Sequence, residues 1–169
     1  MAQETIEAYG ISVRVAPGWN AEIFRFGDGS PVGTTGEMTD AERDSSPPLV
    51  HAATVDLPQK RGSYALDCID HMGPGDAFVA LVVDDSEQAT TRAIYRAANE
   101  PWPLTPEAFD PTESPRLAPG VVFVQRFFQR AGRGMCLFAG VHEGVGRGIP
   151  VARVNQFLHG VRVGSRPRP

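Results

Sequence analysis

The sequence predicts an α+β domain, an antiparallel sheet of about six or seven strands with helices packed on it. Three observations carry that expectation. Residues 121–130 and 135–141 are rich in β-branched and aromatic side chains and flank Ala131-Gly132-Arg133-Gly134, the pattern of a hairpin with glycine in its turn. Residues 76–84 are apolar on both faces, with Ala77, Val79, Leu81 and Val83 opposite Phe78, Ala80 and Val82, as in a central strand. Pro150 suits the start of a helix, Val151, Val154, Phe157 and Leu158 give it one apolar stripe, and Gly160 ends it ahead of a last short strand at 161–163.

The remaining elements follow in order. Tyr9, Ile11, Val13 and Val15 alternate with Gly10, Ser12 and Arg14, which predicts one half-buried strand over 9–15. Pro17-Gly18 turns the chain, Trp19 folds back onto the core, and 21–26 is the return strand. Residues 27–48 are rich in Gly, Asp, Thr and Ser and close on Pro47-Pro48, the composition of a mobile connection. The next strand covers 49–57, with His51 on the face of Leu49, Ala53, Val55 and Leu57, until Pro58 to Gly62 breaks it. Leu66, Ile69 and Met72 fall three apart before Gly73-Pro74, so 64–72 reads as a short helix, and 90–99 suits one or two helical turns. Six prolines between 100 and 120 exclude a regular element, because proline lacks the amide donor and restricts the residue before it. That segment should wrap the surface, anchored by Trp102, Leu104 and Phe109. The domain spans 1–163, with long loops at 27–48 and 100–120, and 164–169 reads as a disordered tail.

A chain of 169 residues can bury one good core. Its net charge of −4 is uneven: −12 over the first 115 residues and +8 over the rest. The arginines of the second part are spread over strand, turn, loop, helix and tail. The expectation is therefore acidic and basic segments that neutralise each other within one fold. With a pI of about 5.5, this argues against a nucleic-acid partner. No apolar run approaches the roughly 20 residues of a membrane helix, and residues 1–5 lack the basic and apolar regions of a secretory signal. The expected setting is the cytoplasm, without membrane contact. There Cys68 and Cys136 are expected to be buried thiols.

The order of these elements resembles the PsbP-like α/β fold: a strand ending in Pro17-Gly18-Trp19, a central hairpin sheet, and a closing helix followed at once by a short strand. That fold is shared by an extrinsic photosystem II subunit, a Ran-binding yeast protein and some mycobacterial lipoproteins. Residues 9–19, 75–83 and 127–141 are also similar to a group of small uncharacterised actinobacterial proteins. The single lysine, Lys60, against 15 arginines suits a high-GC genome. The resemblance implies action by binding partners or ligands, and no catalytic residue is carried over by it. The chain departs from the lipoproteins in lacking a signal and a lipidated cysteine.

Among constellations that could carry chemistry, Gly144, Gly146, Arg147 and Gly148 lie between a strand and a helix. There, backbone amides and a guanidinium could hold an anion. The Lys-Ser/Thr pair of a P-loop is absent, and a flexible connector explains the glycines equally. Cys68, His71, Cys136 and His142 lack the spacing of a zinc site, and no metal or cofactor is expected. There is no Gly-x-Ser-x-Gly elbow. The carboxylate pairs Asp67/Asp70 and Asp84/Asp85 are explained as solvated acids and turn formers. Phe127 and Phe128, adjacent on a strand, must point to opposite faces. Either the proline-rich segment covers the outer one, or an aromatic patch is left open. On the second alternative Phe128, Trp102 and Phe109, flanked by Arg126 and Arg130, form an interface, since aromatic residues and arginine anchor such surfaces. The favoured function is a non-enzymatic protein-interaction module, an accessory subunit of a larger assembly, with a protein partner or self-association. The alternative is an anion-binding protein or enzyme with a pocket beside the 144–148 loop.

Overall fold

A computed structural model describes residues 3–27, 41, 45–114, 116 and 118–168. Within these residues the fold is α+β, with eight strands in two antiparallel sheets. The smaller sheet is built from β1 (Thr5–Ala8) and β2 (Ile11–Arg14), with a strand from the far end of the chain on the other side of β2. The larger contains β3 (Asn20–Phe24), β4 (Leu49–Ala53), β5 (Ala77–Asp84), β6 (Val121–Arg130) and β7 (Arg133–His142), in the order β3-β4-β5-β7-β6. Helix α1 (Gly148–His159) leads into β8 (Val161–Val163), which completes the smaller sheet in the order β1-β2-β8.

Two expectations about strands are corrected here. The strand expected over 9–15 is shorter, Ile11–Arg14, because Tyr9 and Gly10 both take positive φ (54° and 73°) and reverse the chain from β1, a strand that was not expected. The one sheet of six or seven strands is two sheets. After Arg14 the chain bends through Pro17-Gly18, and β3 pairs with β4 rather than returning along β2. The central hairpin is also tighter than its glycines suggest. Only Ala131 and Gly132, at φ 53° and 74°, form the turn, so Arg133 and Gly134 already belong to β7.

Each face of the larger sheet is covered. On one face, Val50, Val79, Leu81, Val122, Phe128 and Leu137 meet the buried stripe of α1 (Val151, Val154, Phe157, Leu158) together with Ile11, Val13 and Val161 of the smaller sheet. Trp19 closes this layer by stacking on Phe157 with ring centroids 4.8 Å apart. The end of α1 is pinned by Arg14 N–H donating to the Gly160 carbonyl at 3.0 Å. A Cβ on Gly160 would collide with the Arg14 carbonyl, so the close approach requires glycine. On the other face, Phe78, Phe123 and Phe138 pack beneath the 3-10 helix Leu66–His71, which supplies Cys68 and Ile69.

The expected loop over 27–48 lies mostly outside the described residues. The proline-rich segment is irregular apart from the 3-10 turns Pro106–Ala108 and Pro111–Glu113. It lies along the outer edge of β6, where Asp110 and Phe123 exchange backbone hydrogen bonds at 2.7 and 3.0 Å. Asn155 of α1 clasps the segment through both the N–H and the carbonyl of Leu104, at 2.7 and 2.9 Å. At the chain's other end, Gly164 donates its N–H to the Gly10 carbonyl at 2.8 Å.

Candidate functional site

β7 ends at His142, and the next residues make a tight, docked turn. Glu143 N–H donates to the Gly120 carbonyl at 2.8 Å, and Gly146, at φ 86°, donates back to the Glu143 carbonyl at 2.8 Å. Val151 N–H then donates to the Arg147 carbonyl and opens α1. The cation of this turn does not face outward. Arg147 Nε donates to Glu143 Oε2 at 2.6 Å and its Nη1 to the Phe109 carbonyl at 2.9 Å. Two of its donors are thereby committed to the turn itself and to the proline-rich segment.

Turning Arg147 inward leaves Gly144, Val145, Gly146, Gly148 and Ile149 exposed. The Val145 and Ile149 side chains protrude, at 54% and 63% exposure. Gly144 rests near Pro74, and Val145 reaches toward Gly75. The result is a pair of exposed aliphatic side chains on a hydrogen-bonded turn, beside the partly exposed Arg147–Glu143 ion pair. Reading the sequence missed both side chains as functional candidates. The signal was present: Ile149 lies off the buried stripe of α1, and Val145 stands between two glycines.

The residues expected to form an aromatic interface are placed otherwise. Phe128 is 1% exposed and meets Trp102 edge-on at 5.6 Å, while Phe109 is 2% exposed. The proline-rich segment is thus a cover, and neither phenylalanine offers a surface while it is in place. Trp102 is half-buried. Arg126 turns its Nη1 onto the Gln125 carbonyl at 2.8 Å, and Arg130, exposed, pairs with Glu100 at 3.5 Å. The structure therefore brings Trp102 and Phe128 together but does not gather the five residues into one exposed patch. Phe127, on the opposite face, is half-buried against Tyr95 at 6.2 Å.

The two thiols are buried, and the two carboxylate pairs singled out in the sequence are held in structural bonds. Burial pushes the Cys68 thiol up to about 12 and raises that of Cys136 as well. Both are protonated thiols near neutrality, the opposite of an activated nucleophile. Asp67 accepts from Gly62 N–H at 3.0 Å, and Asp70 pairs with Arg116. Asp84 and Asp85 pair with Arg92 and Arg133 at 3.1 and 2.7 Å. Among the described residues, no three His, Cys, Asp or Glu side chains gather as a metal-holding group, and no helix is long and apolar enough to cross a membrane.

In comparisons with protein-family models, with curated proteins and with solved structures, nothing matches the chain.

Proposed function

We propose that this chain is a non-enzymatic protein-interaction module, an accessory subunit that docks to a protein partner through the knuckle formed by Val145 and Ile149. The observation that carries the reading is the exposure of these two aliphatic side chains on a turn whose only arginine is tied inward. Burying a valine or isoleucine side chain is worth about 1.5–3 kcal/mol, which this fold forgoes at both positions. A partner with a matching apolar pocket recovers it. The hydrogen-bonded turn beneath favours such docking, because little backbone entropy is lost on binding. Resemblance to the PsbP-like fold points the same way, toward binding rather than catalysis.

The test is a double variant, Val145→Asp with Ile149→Asp. Both side chains are exposed, so the melting temperature should stay within a few degrees of the parent. Affinity purification from the native host, or sedimentation for self-association, should show a stoichiometric partner for the parent. Its affinity should fall by at least about tenfold in the variant. A partner held equally by both proteins would move the interface elsewhere. A parent that is alone and monomeric under native conditions would overturn the reading.

A further inference from the structure

At the opposite end of β5 and β7 from the knuckle, a cavity of about 480 Å³ opens beside Val82, Tyr95 and the segment 45–48. That volume suits a small organic molecule. Its polar groups are held in place from behind. Arg133, 1% exposed, grips Asp85 with two bonds, Nε to Oδ1 at 2.7 Å and Nη2 to Oδ2 at 3.1 Å. The carboxylate fixed in this way also meets Arg25 Nη2 at 3.4 Å, and the Arg25 guanidinium lies over the Tyr9 ring, 4.6 Å from its centroid. Asp84 is fixed in turn by Ser86 N–H at 2.9 Å and orients Arg92, whose Nη1 lies at 3.1 Å. Tyr95 also lines the cavity. Its ring lies over Gly134, where even a Cβ would come within 2.6 Å of a ring carbon.

Asp84, Asp85, Arg25 and Arg92 line the cavity together, and each guanidinium is paired with one of the carboxylates. Arginine presents five N–H donors in a rigid fork, and one ion pair does not exhaust those of Arg92. Carboxylate and phosphate oxygens match that fork. The remaining lining is mixed: Val82, Pro47 and Pro48 are apolar, and Ser45, Ser46 and Ser86 are polar. We propose that this cavity binds a small organic oxyanion, its carboxylate or phosphate group held by Arg92 and Arg25 and its apolar body against Val82 and Pro48. The inference is independent of the knuckle.

Benzoate and phenyl phosphate, titrated at constant ionic strength with chloride as the control salt, supply the two head groups on one apolar body. At least one should raise the melting temperature by a few degrees and saturate at or below about 10 mM. The stronger of the two identifies the head group. Arg92 is more than half exposed, at 55%, so Arg92→Ala should fold normally and lose the response by about tenfold or more. Asp84→Asn, which frees Arg92 from its orienting charge, should weaken the response without abolishing it. No response to either compound beyond chloride, or an undiminished response in Arg92→Ala, would overturn the assignment.

Discussion

His51 shows what a single residue contributes here. It is fully buried, with Nε2 2.9 Å from the Ser63 carbonyl and Nδ1 3.0 Å from Arg61 Nε. Arg61 can only donate, so Nδ1 accepts and Nε2 carries the proton. Arg61 completes its own bonding with the Pro58 carbonyl at 2.6 Å, with Glu22, and over the Phe24 ring at 5.4 Å. Burial pushes the His51 pKa down from 6.5 to about 3; the Ser63 bond opposes this, and the charge on Arg61 adds to it. The unfolded chain therefore binds a proton that the folded chain refuses between these values. Stability from this site is fully present above about pH 6.5 and is lost as pH falls toward 3, by at most about 1.4 kcal/mol per pH unit. Urea unfolding of His51→Gln between pH 7 and 4.5 should show a shallower loss than the parent. Parallel profiles would assign the acid sensitivity to other groups. Strand alternation placed His51 correctly beside Leu49 and Ala53. It could not reveal Arg61, because Pro58 to Gly62 reads only as a strand breaker.

Among the elements, the β6–β7 hairpin was the most legible, since alternation runs through all ten residues of β6 and the apolar run 135–141 marks most of β7. Its glycines carry more than flexibility. Gly140 lies opposite Phe78 and Phe123 in the ladder, and a Cβ there would drive into the Phe78 ring. Gly140→Ala should cost about 1–3 kcal/mol through overpacking, measured by chemical denaturation. A change near zero would mean that the aromatic layer yields easily. The β1–β2 hairpin was illegible for a definite reason. Its turn uses Tyr9 at positive φ, a conformation tyrosine adopts only when the surroundings impose it. An alternating run of seven residues then looks like one strand. The turns after β5 were legible as helical but too short for their 3-10 geometry to be read.

At the scale of the whole molecule, three ion pairs among the described residues join the acidic first part of the sequence to the basic second part: Asp70 with Arg116, Glu100 with Arg130, and Asp85 with Arg133. The last pair also joins the sheets. Arg133 begins β7 in the larger sheet, and its Nη1 donates at 3.3 Å to the carbonyl of Gly164, just after β8 in the smaller one. Arg133→Ala would leave Asp85 with only the longer contact to Arg25 and should cost about 3 kcal/mol. Arg133→Met with Asp85→Leu should recover much of that in thermal or urea unfolding. No gain from the double variant would assign the loss to the Gly164 contact instead. Neither that tie nor the turn of Arg147 onto Glu143 and the Phe109 carbonyl was legible in sequence. Both depend on which way an arginine turns, and spacing along a chain carries no such information.

The order of the smaller sheet has a further consequence. β2 lies between a strand that directly precedes it and one that follows about 150 residues later. A nascent chain can make the β1–β2 hairpin early, but Ile11 and Val13 lack their cover, and one edge of β2 stays open, until residues 161–163 have emerged. Until those residues emerge, the β1–β2 ribbon is half-paired, with apolar side chains uncovered. The growing chain must be shielded there, or outrun self-aggregation, before its last strand arrives.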